Sequence, residues 1–193
     1  MEDNINSTLI ILAGGKSTRM GEDKALMFDN TSRIQKIAGK LGVNDCIILC
    51  GNEDRKRLFQ GKVWPDPISV DGVLDAIIWV SKQIKGRIQL IPCDCFKIQQ
   101  NGLEYLLRMN DSLPVDEYGI KQPLLANFNP RNIRLEGATL NEIFSDLDVD
   151  NGFFKANNHD IQIFYTANNF SHVCWRNHNF CGSRSGDCAK QRS

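Results

Sequence analysis

Short, uninterrupted apolar runs alternate along this chain with stretches whose apolar residues recur at helical spacing. Residues 8–13, 45–50 and 87–91 are runs of the first kind, which are typical of strands buried on both faces. Residues 33–41 and 73–84 carry apolar side chains three and four positions apart, and this spacing predicts helices. A strand, a glycine turn, a helix and a second strand in this order form a βαβ unit, whose strands are parallel.

Weaker segments continue the alternation. We predict a short strand at 62–64 and helices at 103–109 and 140–147. A further strand is predicted at 122–127, where Pro123 favours an edge or an end of the sheet. The repeated alternation predicts a layered α/β fold, in which ligands bind at the carboxyl ends of the strands.

Composition and charge narrow the function classes. The chain has 193 residues, 41% hydrophobic and 24% charged, which suits one globular domain and excludes disordered and collagen-like chains. Its 23 basic residues balance 23 acidic ones, so nothing in the charge calls for a nucleic-acid partner. Apolar runs are too short to span a membrane or to form a signal peptide, so we expect no membrane partner and a cytoplasmic location. Seven cysteines in such a chain are expected to be reduced thiols.

The last part of the chain has a different character. We predict a domain at 1–167, followed by a polar tail at 168–193 that is expected to be loosely ordered. The tail carries a cluster of potential metal ligands, namely Cys174, His178, Cys181 and Cys188. Their spacing does not match a paired Cys-x-x-Cys zinc design, so a zinc site and unligated thiols both remain open.

The most informative segment is LAGGKSTRMGEDKAL at residues 12–26. Gly14 and Gly15 follow a buried strand, where they let the backbone turn tightly and approach a ligand, and successive amides in such a turn can bind an anion. The segment adds two hydroxyls and three cations, from Ser17, Thr18, Lys16, Arg19 and Lys24. This combination favours a polyphosphate ligand over the alternative of a tight turn with solvated basic residues.

The same segment resembles the opening motif of the nucleotidyltransferases related to molybdenum cofactor guanylyltransferase (MobA). The resemblance implies a Rossmann-like three-layer α/β/α nucleotidyltransferase fold with a mostly parallel sheet. It also implies that the nucleotide lies on this loop, against Leu12, Ala13, Gly14, Gly15, Ser17 and Lys24.

Two aspartates are candidate ligands for magnesium or nucleotide. Asp94 ends a predicted strand, where a carboxylate would meet a ligand, and Mg²⁺ prefers one or two protein carboxylates together with phosphate oxygens. The resemblance implies that the Pro-Cys-Asp at 92–94 supplies the metal-binding aspartate. Asp66 matches a family aspartate near the nucleotide, although an aspartate between two prolines also forms turns.

The sequence departs from the family pattern in the segments that the resemblance places near the nucleotide base and near the pterin. Cys50 stands where the family often has an asparagine, so we predict that Asn52 contacts the base instead, because an amide can read a guanine edge and a thiol cannot. Residues 72–76, GVLDA, replace the usual GPLAG. Asn157 matches an asparagine on the pterin side of the site, with Lys155 in place of a second one; Asn157 could also be a cap.

The implied reaction transfers GMP from GTP to molybdopterin or the molybdenum cofactor and releases pyrophosphate. We assign Arg19, Lys24 and Asp94 as catalytic, with Asp94 holding Mg²⁺. Three alternatives stay open: another transferase that uses CTP or a sugar phosphate, a nucleotide-binding relative without activity, and a metal-binding module built on the tail.

Overall fold

The computed structural model describes residues 7–15, 23, 25–116 and 118–153. The predicted boundary at 167 and the polar tail at 168–193 lie outside the described residues, as do the four candidate zinc ligands there.

Seven strands form one mixed sheet. Their bounds are β1 Ser7–Leu12, β2 Cys46–Leu49, β3 Lys62–Trp64, β4 Arg87–Pro92, β5 Ser112–Pro114, β6 Asn127–Phe128 and β7 Asp148–Asp150. The order across the sheet is β3-β2-β1-β4-β6-β5-β7. Strands β1 to β4 run parallel to one another. β6 runs antiparallel to both β4 and β5, and β5 pairs with β7 in parallel. The predicted α/β fold with a mostly parallel sheet is confirmed.

Helices cover both faces of this sheet. Their bounds are α1 Asn30–Lys40, α2 Val73–Gln83, α3 Gln100–Arg108 and α4 Leu140–Ile143. Side chains of a strand alternate between faces, so Leu9 and Ile11 of β1 pack in one core cluster with α1 and α3. Ile10, between them, packs in a second cluster with α2 and α4. Two apolar cores on opposite faces of one sheet give the three predicted layers.

The second half of the chain differs from the sequence prediction. The strand predicted at 122–127 is a 3₁₀ turn at Pro123–Leu125 followed by β6, which lies inside the sheet and not at its edge. Of the two predicted alternatives, an edge or an end, the edge is wrong, because Pro123 lies in the turn before β6, where its missing N–H breaks no ladder hydrogen bond. The helix predicted at 140–147 ends at Ile143, and β5 and β7 were not predicted.

The four cysteines within the described residues, Cys46, Cys50, Cys93 and Cys95, are free thiols, as predicted. Among the described residues, no helix is long and apolar enough to cross a membrane.

Candidate active site

The carboxyl ends of four parallel strands lie side by side at one edge of the sheet. The last residue of β1, Leu12, pairs with Leu49 of β2 and with Pro92 of β4, and Leu49 pairs with Trp64 of β3. The segments that follow these strands therefore meet at this edge. They contain most of the predicted site residues that the structure describes: Ala13, Gly14, Gly15, Asn52, Asp66 and Asp94.

Gly14 and Gly51 bring the ends of β1 and β2 into backbone contact, which we call the glycine contact. A Cβ atom on Gly14 would lie 3.0 Å from both Cα and N of Gly51, and one on Gly51 would lie 2.8 Å from the Gly14 carbonyl oxygen. Gly51 also has a φ of 86°, a left-handed conformation that side chains disfavour. Both positions thus require glycine, one for close approach and the other for close approach and conformation.

The glycine contact leaves backbone donors available. The amides of Gly14, Gly15 and Gly51 donate no hydrogen bond to any residue that the structure describes. Gly15 is exposed, and a Cβ built on it would meet nothing within 4 Å. Successive unpaired amides next to open space are the arrangement that binds phosphate oxygens in anion-binding turns. Phosphate binding by the Gly14 and Gly15 amides stays a prediction.

Asp66 lies against the glycine contact. Its backbone amide donates to the Gly51 carbonyl, and its Oδ2 lies 3.3 Å from the position of a Cβ on Gly14. Its Oδ1 is buried and has no hydrogen-bond partner within the part of the chain that the structure describes. Burial raises the pKa of the Asp66 carboxyl above its ordinary value, because the ionised form loses water. A buried carboxylate oxygen without a partner is a candidate ligand for a cation.

Asp94 lies in the turn after β4, which we call the aspartate turn and define as residues 92–96. The Cys93 amide donates to the Leu12 carbonyl at 3.0 Å, which fixes the aspartate turn beside the end of β1. Asp94 is half-buried, and its own carbonyl accepts from the Phe96 amide at 2.9 Å. The structure therefore brings Asp94 to the same sheet edge as the glycine contact.

Two side chains of α1 hold the aspartate turn. Asn30 donates to the Cys93 carbonyl at 2.6 Å. Arg33 donates to the carbonyls of Cys95 at 3.1 Å and of Phe96 at 2.9 Å, and also to that of Ile98. These contacts fix the backbone of the turn to α1, while Asp94 itself stays half-exposed.

The cysteines of the aspartate turn are structural. Cys95 is fully buried and Cys93 packs against the same apolar cluster. Burial is the main cause that raises the pKa of the Cys95 thiol well above its ordinary value, so the thiol stays protonated.

Magnesium is the cation that the chain's resemblance implies, and the described residues fit it. Asp66 and Asp94 offer carboxylate oxygens, which are the ligands that Mg²⁺ takes. No group of three or more acidic, histidine or cysteine side chains that could enclose a metal occurs within the described residues. One or two carboxylates without a full cage suit Mg²⁺, which completes its shell with phosphate oxygens and water.

Arg55 is a site residue that sequence reasoning missed. It lies in the 3₁₀ turn Glu53–Leu58 after β2, and its guanidinium donates to the carbonyls of Ala13 and Cys50 and to both carboxylate oxygens of Asp23. Only 14% of its side chain is exposed. The sequence signal is weak, because Arg55 is one of three consecutive basic residues and its partners are up to 42 residues away.

Asn52 and Cys50 have different surroundings. The Asn52 side chain is exposed, and its oxygen accepts from the Arg55 amide at 3.2 Å and so caps the 3₁₀ turn. Cys50 is fully buried, and its Sγ lies 3.5 Å from the Asn52 carbonyl oxygen. Base contact by Asn52 stays a prediction, to be made through its NH₂ group.

The fold accommodates the departure from the family pattern at residues 72–76, where this chain has GVLDA in place of GPLAG. Gly72 caps α2 with a φ of 95°, so the glycine kept from the family pattern is the one that the backbone requires. Ala76 is 5% exposed and packs in the core from the first turn of α2, where alanine is a good helix former. Loss of the second glycine is therefore a change inside a helix.

Several predicted residues lie outside the described residues. In the glycine-rich segment they are Lys16, Ser17, Thr18, Arg19 and Lys24, and on the predicted pterin side they are Lys155 and Asn157. Their roles stay predictions.

Most of the chain matches a known protein family. Residues 9–142 match the family model described as "MobA-like NTP transferase domain". Two curated proteins, from Synechococcus elongatus and Synechococcus sp., are each 35% identical over 123 residues and are named "Probable molybdenum cofactor guanylyltransferase". Each alignment covers 58% of this chain and 62% of the relative, so the match spans less than two thirds of their length.

Solved structures share the fold. A protein from Aquifex aeolicus VF5 has a TM-score of 0.52 at 18% identity, over 67% of this chain and 72% of that one. The bifunctional IspDF from Campylobacter jejuni has a TM-score of 0.50 at 10% identity, over 75% of this chain and 48% of that one. At these identities the likeness concerns the fold alone.

Proposed function

The chain belongs to the MobA-like NTP transferase family, and from this premise we propose that it is a nucleotidyltransferase that moves GMP from GTP to molybdopterin or the molybdenum cofactor. The names of the two Synechococcus relatives support this choice of substrates. The observation that carries the proposal is that, among the described residues, the amides of Gly14, Gly15 and Gly51 have no acceptor and the buried Oδ1 of Asp66 has no hydrogen-bond partner.

The described residues act by binding and orientation. The three glycine amides donate to triphosphate oxygens, which fixes the α-phosphorus relative to the acceptor. Asp94, with Asp66, would hold Mg²⁺, which would supply charge neutralisation at the phosphates. Arg19 and Lys24 are proposed to stabilise the charge that develops on the α-phosphate and on the leaving pyrophosphate.

The proposed reaction does not require a strong general base. The phosphate oxygen of the acceptor is already an anion, so it can attack the α-phosphorus without losing a proton. A new phosphorus–oxygen bond forms, the bond from the α-phosphorus to the bridging oxygen breaks, and pyrophosphate leaves with that electron pair. Positioning and charge neutralisation therefore supply the catalysis, as in other phosphoryl-type transfers.

A thermal-shift screen of the four ribonucleoside triphosphates with Mg²⁺ tests the nucleotide, because a ligand that binds only the native state raises its Tm. We expect the largest shift with GTP. Pyrophosphate release with each triphosphate, with and without molybdopterin, then tests the acceptor. Release with CTP or a sugar phosphate instead would identify another transferase, and a GTP shift without any release would identify a binding protein without activity.

Asp94→Asn tests the carboxylate of the aspartate turn. We expect turnover to fall about 100-fold, since the substitution removes a charged ligand of Mg²⁺, the ion that would neutralise charge on the phosphates. Asp148→Asn is the matched control, because Asp148 is exposed on β7 and lies far from the carboxyl ends of β1 to β4 in sheet order. Equal activity of the two variants would contradict the assigned role of Asp94.

A further inference from the structure

Arg55 joins three segments of the site through one guanidinium group. Its Nε donates to the Cys50 carbonyl at 2.7 Å, and its Nη2 donates to the Ala13 carbonyl at 2.6 Å. Nη1 and Nη2 meet the two carboxylate oxygens of Asp23 side by side, the second at 3.2 Å. Four of the five N–H donors of the group are thereby used. A lysine could not make this set of contacts from one fixed plane.

The two carbonyls that Arg55 binds belong to special residues. Ala13 directly precedes Gly14, and Cys50 directly precedes Gly51. All described peptide bonds are trans, and in a planar trans peptide the carbonyl and the following N–H point in opposite directions. Since both carbonyls point to Arg55, the amides of Gly14 and Gly51 point away from it. Arg55 thus sets the direction of the amides that the proposed function assigns to the triphosphate.

Asp23 extends this arrangement to the end of the glycine-rich segment. Its Oδ1 also accepts from the Ala25 amide at 3.1 Å, and its carbonyl accepts from the Leu26 amide at 2.9 Å, so Asp23 begins a turn. Thr31 of α1 donates to the Ala25 carbonyl at 2.8 Å and fixes the other side of that turn. Arg55 therefore contacts the chain on both sides of residues 14–22: it binds the carbonyl of Ala13 before them and the carboxylate of Asp23 after them.

Charge indicates a positioning role for Arg55. Its cation is matched by the Asp23 carboxylate, its side chain is 14% exposed and that of Asp23 is 21% exposed, and its guanidinium lies 5.8 Å from the centre of the Phe59 ring. A guanidinium that is ion-paired, mostly covered and placed over an aromatic ring is not a free cation for a phosphate. Its neighbour Arg57 is exposed and lies in the same turn.

We propose that Arg55, paired with Asp23, is a positioning residue that aims the Gly14 and Gly51 amides at the triphosphate. This inference rests on the proposed function, because it concerns the same bound triphosphate. It adds a residue 41 positions from Gly14 that never needs to touch the substrate.

Arg55→Lys tests the proposal, with Arg57→Lys as the matched control in the same turn. The first readout is binding of inorganic tripolyphosphate with Mg²⁺ by calorimetry, which does not depend on the base or the acceptor. We expect Arg55→Lys to weaken this binding about 10- to 100-fold, because misplaced donors lose much of their effect. Arg57→Lys should bind like the wild type.

Kinetics separate positioning from stability alone. We expect Arg55→Lys to raise KM for the nucleotide and to leave KM for the acceptor unchanged. Asp23→Asn keeps an oxygen acceptor and should weaken tripolyphosphate binding less than Arg55→Lys does. A merely structural role would lower Tm and the active fraction without changing either KM, and that result would overturn the proposal.

The outcomes also separate this inference from the proposed function. If the wild type binds tripolyphosphate and Arg55→Lys binds it equally well at a temperature where both are folded, the inference about Arg55 is wrong and the proposed function stands. If the wild type binds neither tripolyphosphate nor any nucleoside triphosphate, the proposed function is wrong and the inference is overturned with it.

Discussion

The glycine contact and the aspartate turn lie at the same sheet edge, but different kinds of contact hold them. At the glycine contact, two backbones touch directly, and Arg55 binds the carbonyls on either side. At the aspartate turn, the side chains of Asn30 and Arg33 reach up from α1 to carbonyls of the turn. The first arrangement depends on the absence of side chains and the second depends on their presence.

The two arginines also differ in charge balance. Arg55 is paired with the carboxylate of Asp23, whereas Arg33 forms no ion pair with a described residue and binds carbonyls and the Asn30 side-chain oxygen. Burial lowers the pKa of the Arg33 guanidinium, because its charge loses water without gaining an anion. At the glycine contact, the charge of Arg55 is therefore balanced by Asp23. At the aspartate turn, the positive charge of Arg33 is not balanced by an ion pair with a described residue. We expect substitutions in the two regions to change different properties.

Gly51→Ala should have the largest effect, because it breaks the glycine contact itself. A left-handed conformation costs a residue with a side chain about 1–2 kcal/mol. At Gly51 the new methyl would in addition lie 2.8 Å from the Gly14 carbonyl oxygen, which forces the strand ends apart. We expect a larger loss of unfolding free energy than conformation alone explains, and no measurable tripolyphosphate binding.

Gly42→Ala is the control for Gly51→Ala. Gly42 has a similar φ of 75°, but a Cβ there would meet nothing within 4 Å. Urea denaturation should show a loss of about 1–2 kcal/mol for Gly42→Ala, with normal tripolyphosphate binding. Equal losses in the two variants would mean that the contact with Gly14 adds nothing.

Asp66→Asn should have the next largest effect and should change stability and activity in opposite directions. The pKa of Asp66 is raised from 3.8 in the folded protein, so the folded state holds this proton more tightly than the unfolded chain does. The contribution of this group to stability therefore falls as pH rises from the ordinary value through the raised one, and at pH 7 the ionised carboxylate is a cost. Asn removes that cost.

We therefore expect Asp66→Asn to unfold at higher urea concentration than the wild type at pH 7 without Mg²⁺ or nucleotide. Its turnover with Mg²⁺ should nevertheless fall about 100-fold, because a ligand of the ion is lost. Asp148→Asn should change neither property. A decrease in stability for Asp66→Asn at pH 7 would show that the Oδ1 atom has a partner in solution.

Particular residues show how far the sequence could predict this molecule. Gly14, Gly15 and Asp94 lie at strand ends, and a strand end is visible in the local pattern, so these residues were found and the parallel half of the sheet was predicted. Gly51 ends the second predicted strand in the same way, but its contact with Gly14 depends on two strands being neighbours. Arg55 and Arg33 bind partners up to 42 and 65 residues away, and no local pattern encodes such contacts.

The second half of the chain was harder for a related reason. Strands β5, β6 and β7 have three, two and three residues, which is too short for an alternation to be recognised. The helix ends at Ile143, but Leu147 beyond it is also buried. Its apolar side chain continued the helical spacing in the sequence, so the helix was predicted to be longer than it is.

Arg33→Lys should have a smaller effect than Gly51→Ala or Asp66→Asn. It is the counterpart, at the aspartate turn, of Arg55→Lys at the glycine contact. It leaves carbonyls of the aspartate turn without donors, and we expect a loss of about 1–3 kcal/mol of unfolding free energy. Because the turn carries Asp94, the Mg²⁺ concentration for half-maximal activity should rise about tenfold. Tripolyphosphate binding at saturating Mg²⁺ should stay normal. If both arginine variants changed the same parameter, the distinction between the two regions would be lost.

The smallest expected effect concerns Asn52, where cap and base contact can be separated. Asn52→Asp keeps the oxygen that accepts from the Arg55 amide and removes the NH₂ group, whereas Asn52→Ala removes both. Loss of a cap costs about 0.5–2 kcal/mol, so Asn52→Ala should be less stable than the wild type and Asn52→Asp should not. If Asn52 also contacts the base, Asn52→Asp should reduce the preference for GTP over ATP in kcat/KM. An unchanged preference in Asn52→Asp would leave Asn52 with the capping role alone, and base selection would then belong to other residues of the site.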